Sequence, residues 1–121
     1  MRLVSFENGF GRVEGDVVIP MGPCLVTADE IPDPEALGVR LTLNGQELQS
    51  SSTAQMVFAV AELVASLSRT MTLAPSDLIA TGTPPGVGFA RRPPVWLRDG
   101  DVVSVEVERI GTLTNPVRAG G

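Results

Sequence analysis

Short runs of alternating apolar and polar residues recur along the chain and predict β-strands joined by tight turns. Residues 39–43 alternate in this way, Asn44-Gly45 is typical of a two-residue hairpin turn, and residues 47–49 predict the returning strand. Residues 101–108 also alternate, with three valines on one face, and residues 110–113 are expected to pair back on them. Two hairpins of this kind indicate an antiparallel sheet.

Further strands are predicted where apolar runs lie between Gly, Pro and acidic turn residues. Residues 28–36 hold two prolines and four carboxylates and are predicted to be a polar connector. Trp96 and Leu97 are expected to anchor the return of the chain to the sheet. The additional strands are predicted at residues 2–6, 11–13, 17–19, 22–27 and 77–80.

One helix is predicted, over residues 52–68. Its apolar side chains fall at positions 56, 57, 60, 63, 64 and 67, the spacing of a single helix face, and Ser52-x-x-Gln55 matches a capping box. Many short strands with one helix give the expected fold class: mainly β, a mixed β-roll or barrel with the helix packed against it. We expect a single domain over the 121 residues.

Composition excludes several kinds of partner. The formal net charge of −5 gives no attraction to nucleic acid or to an anionic membrane. The longest apolar stretch, residues 56–67, is shorter than the about 20 residues that cross a bilayer. One cysteine allows no internal disulfide, and the first residues show no signal-peptide pattern, so a cytoplasmic location is expected.

The residue types that are missing limit the chemistry further. The sequence contains no histidine, lysine or tyrosine, and all nine basic residues are arginines. A histidine-based triad, an imidazole zinc site and a Schiff-base lysine are therefore excluded. General acid–base catalysis would fall to Asp, Glu or Cys24.

The first candidate for a small-molecule site is the loop at residues 81–88, Thr-Gly-Thr-Pro-Pro-Gly-Val-Gly, which follows the predicted strand 77–80. Two hydroxyls, paired prolines and three glycines make this loop rigid in places and open to close approach in others. The alternative interpretation is structural: a strand end that needs these glycines and prolines to turn.

Several runs together resemble the fumarylacetoacetate hydrolase family, in matching order from residue 22 to residue 117, and residues 1–20 are similar to that family's opening hairpin. The resemblance implies substrates that are 2-oxo acids or 1,3-dicarbonyl compounds. The matching runs are Gly22-Pro23-x-Leu25-Val26-Thr27-Ala28-Asp29-Glu30-Ile31-Pro32-Asp33-Pro34, Asn44-Gly45, Met56-Val57-Phe58, Met71-Thr72-Leu73-x-Pro75-x-Asp77-x-Ile79-Ala80-Thr81-Gly82-Thr83-Pro84-x-Gly86-Val87-Gly88, Gly100-Asp101-Val102-Val103 and Ile110-Gly111-Thr112-Leu113-x-Asn115-Pro116-Val117.

Members of that family hold Mg²⁺ or Mn²⁺ with two Glu and an Asp, and add a His–Glu pair and a lysine, all within a middle block. Here Pro20-Met21 runs directly into Gly22-Pro23. The resemblance therefore implies that the metal-binding block is missing, and we expect no metal and no other cofactor.

Site residues follow from the same resemblance. Thr81, Gly82 and Thr83 match the family loop that contacts the carboxylate or keto oxygens of the substrate, a task suited to hydroxyls and backbone N–H groups. Cys24, which stands where the family commonly has Trp, is a second candidate, although such cysteines are most often small core residues. Arg91, beside Arg92, could clamp a carboxylate or be solvated surface charge. The acidic residues of the connector are interpreted as turn and cap residues rather than a metal site.

Three functions stay open. The first is a metal-independent cyclase or isomerase, of the kind found in natural-product biosynthesis, that binds an oxo or dicarbonyl molecule in an apolar pocket beside residues 81–83. The others are a non-catalytic binding module and one half of a split hydrolase, and a chain trimmed in the laboratory is also possible. We expect a homodimer or larger homo-oligomer with the cavity near the interface, because removing a block from a β-roll exposes strand edges and apolar surface. Within the single domain we expect an opening hairpin at residues 1–20, a core at 21–117 and a flexible tail at 118–121.

Overall fold

The computed structural model describes residues 2–6, 9–14 and 17–119. The first sheet is antiparallel, in the order β1-β2-β3, and consists of β1 (Arg2–Phe6), β2 (Gly9–Glu14) and β3 (Val17–Gly22). The three strands predicted at this end are confirmed. β3 continues through Pro20, where an end was predicted, because an edge strand tolerates the missing N–H of proline. Turns are also predicted at Glu7-Asn8-Gly9 and Glu14-Gly15-Asp16, of which residues 7–8 and 15–16 lie outside the described residues.

The second sheet is also antiparallel, in the order β5-β4-β6-β7. Its strands are β4 (Gly38–Leu43), β5 (Gln46–Ser52), β6 (Val102–Val107) and β7 (Gly111–Pro116). The two predicted hairpins form it and meet along the β4–β6 ladder. Asn44 and Gly45 have φ of 51° and 80°, as the two central residues of a type I′ turn require.

A bulge in β5 decides which of its side chains faces the inside of the sheet. Thr42 lies opposite Glu47, but Leu41 lies opposite Gln49, so Leu48 is an extra residue without a partner on β4. Simple alternation would put Leu48 on the face of Leu41, and the bulge puts Gln49 there instead. Gln49 is consequently buried, with 8% of its surface exposed.

The helix prediction is correct for its second half and wrong for its first. Helix α1 spans Val60–Ser68, whereas Thr53–Gln55 form a separate 3₁₀ turn, and the backbone at Met56 is extended. The hydroxyl of Ser52 caps the 3₁₀ turn by accepting from the N–H of Ala54 at 3.2 Å. The N-terminus of α1 is instead capped by the Oε1 of Glu35, which accepts from the N–H of Val60 at 3.0 Å.

Two strand predictions and one packing prediction are wrong. Residues 24–27 and 77–80 form no strand, because an apolar run needs a partner with which to build a ladder and the described residues provide none there. Trp96 and Leu97 do not pack into the core of the described residues, since 67% and 59% of their surfaces are exposed. The predicted connector at residues 28–36 is confirmed as a run of turns.

The core of the described residues is small. Its buried apolar side chains are those of Ile31, Leu37 and Leu43, and none of the large side chains there is fully buried. The apolar face of α1 was predicted to be core but is only half-covered. The fold class is confirmed as mainly β with one helix, while the division at residues 20 and 117 stays a prediction. Among the described residues, no helix has the length and apolar character needed to span a membrane.

Candidate functional site

A cavity of about 580 Å³ lies between the second sheet, the segment before α1 and the loop that follows residue 80. Val39 and Val107, paired across β4 and β6, form its sheet wall. Phe58 and Leu63 form a second apolar wall, and residues 81–85 form the opposite side. The structure therefore brings the predicted residues Thr81, Gly82 and Thr83 to one cavity.

Several residues with hydroxyl groups line the cavity, and three of these hydroxyls accept a hydrogen bond from an N–H of the chain. Ser52 Oγ accepts from the N–H of Ala54 at 3.2 Å, and Thr53 Oγ1 accepts from the N–H of Leu37 at 2.9 Å. Thr83 Oγ1 accepts from the side-chain amide of Gln49 at 3.2 Å. An N–H directed at a hydroxyl oxygen turns the hydroxyl proton elsewhere, so each of the three has a proton to donate.

Gln49 holds the loop against β5 and was not identified from the sequence. Its Nε2 donates to the carbonyl oxygen of Pro84 at 2.6 Å and lies 3.4 Å from that of Pro85, besides its bond to Thr83. Carbonyl acceptors require the nitrogen at this position, because an amide oxygen there would face other oxygens. Residues 47–49 were predicted only as a returning strand, and the bulge at Leu48 is what turns Gln49 to the inner face.

Glycine is required at positions in the loop for two reasons: a close contact that a Cβ would block, and a positive φ. At Gly86, with φ of +105°, an added Cβ would lie 2.5 Å from the carbonyl oxygen of Leu48. At Gly88 it would lie 2.2 Å from the carbonyl oxygen of Val95. Gly82 has φ of +95° but open space where a Cβ would be. The structural interpretation of the loop therefore explains Gly86 and Gly88 by close contacts and Gly82 by its positive φ, and Gly82 in addition contributes to the cavity lining.

Arg91 hydrogen-bonds both the loop at residues 81–88 and strand β5. Its Nε donates to the carbonyl oxygen of Gly86 at 3.0 Å, and its Nη2 donates to the carbonyl oxygen of Leu48, the residue that the bulge leaves out of the ladder. Cys24 is exposed, and its Sγ donates to the carbonyl oxygen of Ile110 at 3.2 Å, so its predicted placement in the core is wrong. Neither Arg91 nor Cys24 is part of the cavity lining.

The acidic connector serves turns and caps, as predicted. The carboxylate of Asp33 accepts from the N–H of Glu35 at 2.9 Å, and Glu35 caps α1. The neighbouring Thr27 side chain lowers the pKa of the Asp29 carboxyl below its usual range, while the Thr27 hydroxyl itself lies 3.5 Å from Oε1 of Glu30. In residues 2–6, 9–14 and 17–119, no group of three or more His, Cys, Asp or Glu side chains could hold a metal ion. The donor set found there does not fit the divalent ion that the family resemblance implies.

The sequence of the chain is similar to those of known proteins. The family model for the C-terminal part of fumarylacetoacetate hydrolase matches residues 8–118. A mitochondrial oxaloacetate tautomerase of Xenopus laevis is 51% identical over 102 residues, which are 84% of this chain and 32% of the relative.

Two solved structures extend the comparison. A fumarylacetoacetate hydrolase from psychrophilic Exiguobacterium antarcticum has a TM-score of 0.80 and 48% identity, over 84% of this chain and 36% of that one. A maleylpyruvate hydrolase from a Sphingobium species, solved with manganese(II) and pyruvate, has a TM-score of 0.74 and 37% identity, over 83% and 35% of the two chains. The chain spans about a third of the length of these relatives.

Proposed function

The chain belongs to the fumarylacetoacetate hydrolase family, and from this premise we propose that it binds an oxo or dicarbonyl small molecule in the cavity beside residues 81–83. One observation carries the proposal: Ser52, Thr53 and Thr83, whose hydroxyl oxygens accept from N–H groups of the chain and whose protons are left to donate, line an otherwise largely apolar cavity. Keto and carboxylate oxygens accept such protons, and apolar walls suit the carbon skeleton between them. The names of the relatives, oxaloacetate tautomerase and maleylpyruvate hydrolase, support this class of ligand.

The reaction we propose is a metal-independent isomerisation or cyclisation. Hydroxyl donors aimed at a keto oxygen stabilise the negative charge that develops there when the ligand enolises. No titratable side chain is part of the described cavity lining. The fitting reactions are therefore those that depend on holding the ligand in a reactive conformation and on hydrogen bonds to its oxygens.

A non-catalytic binding module is the second candidate, and the same lining favours it. A catalyst that abstracts a proton from carbon uses a base within hydrogen-bond reach of that proton. The described lining offers hydroxyls, amides and apolar groups, none of which titrates near neutral pH. Saturable binding without turnover is the behaviour expected of such a module.

Binding and turnover are tested separately in EDTA, so that stray metal contributes to neither. Pyruvate binding is followed by NMR titration, and the keto–enol exchange of oxaloacetate is followed by its NMR signals. We expect saturable binding that Thr83→Val weakens about 10-fold, the size of one hydrogen bond, and that Thr112→Val, an exposed position on β7, leaves unchanged. Exchange faster than in buffer supports the isomerase, binding alone supports the module, and absence of binding by the unaltered chain contradicts the proposal.

We further propose that two copies of the chain assemble into a homodimer. Among the described residues, large apolar side chains lie in water, including those of Leu25, Phe89 and Trp96, whose exposed fractions are 71%, 69% and 67%. Exposed apolar side chains in this number are typical of a surface that another chain covers.

A further inference from the structure

We infer that Gln49 is a positioning residue that makes the Thr83 hydroxyl a hydrogen-bond donor to the ligand. This inference rests on the function proposed above, since it concerns the same cavity. Gln49 is not part of the cavity lining, but by this inference it determines whether Thr83, which is part of the lining, donates or accepts a hydrogen bond.

The first step is the burial of the amide. The bulge at Leu48 turns Gln49 onto the inner face of the sheet, where it lies opposite Leu41 with 8% of its surface exposed. A polar group at such a place costs stability unless it is hydrogen-bonded. Its Nε2 satisfies this requirement on the loop, through the carbonyl oxygen of Pro84 and Thr83 Oγ1.

The second step is the direction of the Thr83 proton. An amide nitrogen carries two donors and no acceptor, so Thr83 Oγ1 is the acceptor of this bond. The Thr83 proton must then point away from Gln49, and no described residue accepts it. Since Thr83 lines the cavity, that proton is available to an oxygen of a ligand bound there.

The inference is tested by reversing the bond. In Gln49→Glu the carboxylate only accepts, so it takes the Thr83 proton and removes that donor from the cavity. Gln55→Glu is the charge control, because Gln55 is part of the same lining but makes no bond to the loop. Gln49→Met, of similar size and without donor or acceptor, covers the case in which Gln49→Glu does not fold, and circular dichroism verifies the fold of each variant.

Pyruvate affinity is measured by NMR titration for each variant, alone and combined with Thr83→Val. We expect Gln49→Glu to weaken binding about 10-fold more than Gln55→Glu does, the size of one hydrogen bond. We expect Gln49→Met to weaken it less than Gln49→Glu. Because Gln49 acts through Thr83, neither substitution should weaken binding further once Thr83→Val is present.

Two results would overturn the inference. Equal affinity of Gln49→Glu and Gln55→Glu shows that only charge matters. A loss from Gln49→Glu or Gln49→Met that persists unchanged in Thr83→Val shows that Gln49 supports the fold and not the hydroxyl. In both cases pyruvate binding by the unaltered chain still stands, whereas its absence there overturns the proposed function as well.

Discussion

Asn44 and Asp101 hydrogen-bond to each other across the end of the second sheet. Asn44 Nδ2 donates to Asp101 Oδ1 at 2.9 Å, and Asn44 Oδ1 accepts from the N–H of Val102 at 2.9 Å. The N–H of Arg98 donates to Asp101 Oδ2 at 2.7 Å. Asn44, in the turn between β4 and β5, thus binds Asp101, the residue that precedes β6. Both oxygens of the Asp101 carboxylate accept hydrogen bonds.

This relationship predicts a dependence of stability on pH. The hydrogen bonds from Asn44 and Arg98 lower the pKa of Asp101 below its ordinary value. The folded state therefore gains stability from Asp101 above the unfolded pKa of about 3.9 and loses it as the pH falls through the folded pKa. We expect Asn44→Gly, which keeps the positive φ but removes the amide, to raise the pKa of Asp101 in an NMR titration. An unchanged titration would contradict the assignment of Asn44 as the main cause.

Gly86→Ala should destabilise the protein more than Gly100→Ala, the same substitution at another glycine with positive φ. At Gly86 a methyl group meets the carbonyl oxygen of Leu48, whereas at Gly100, with φ of +84°, it meets nothing within 4 Å. Both variants incur the strain of positive φ, about 1–2 kcal/mol. Urea unfolding should show an additional loss of at least about 1 kcal/mol for Gly86→Ala, the usual cost of overpacking. Equal losses would show that the loop does not rest on β5 as closely as the structure has it.

Glu35→Ala should weaken the start of α1. The carboxylate caps the N–H of Val60 from a turn twenty-five residues earlier in the chain, and losing a cap costs about 1 kcal/mol. Glu35→Gln keeps an acceptor and should cost less. Thermal unfolding compares both with Glu47→Ala, which removes an exposed carboxylate from β5. A loss from Glu47→Ala as large as that from Glu35→Ala would contradict the cap.

Light scattering tests the proposed homodimer. The unaltered chain should have about twice its monomer mass of 12.7 kDa. Trp96→Glu places a charge on an exposed apolar side chain and should lower that mass toward the monomer, because an unpaired charge is costly in an interface. Thr112→Glu places the same charge on an exposed polar position and should not. A monodisperse monomer for the unaltered chain rejects the homodimer, and association only with a second polypeptide supports the split hydrolase.

What the sequence predicts correctly is what local interactions determine. Asn44-Gly45 specifies its turn by the positive φ that Asn and Gly tolerate, so the hairpin of β4 and β5 follows from residues close in sequence. The runs at 24–27 and 77–80 have strand composition, but pairing needs a distant partner that composition does not reveal. The predicted helix starts too early in the chain because Met56 and Val57 continue its apolar spacing. The residue that caps the observed helix, Glu35, lies twenty-five residues before Val60.

The candidate site likewise has a part that the sequence predicts and a part that it does not. Thr81, Gly82 and Thr83 are predicted from the sequence because they lie in a loop rich in Gly, Pro and Thr that the resemblance to a family singles out, and they do line the cavity, although the strand predicted before them is absent. Gln49 was missed because one extra residue in β5 reverses which side chains face inward, and alternation gives no warning of a bulge.

If the cavity binds an oxo acid as proposed, its three hydroxyls should also favour that oxo acid over the amino acid with the same skeleton. Both carry a carboxylate, but one offers a carbonyl oxygen where the other offers an ammonium group that only donates. Ser52, Thr53 and Thr83 already accept from N–H groups of the chain. An ammonium could use only the second lone pair of each oxygen and would leave the hydroxyl protons without acceptors. Alanine should therefore be rejected where pyruvate is bound, with no charged residue needed to exclude it.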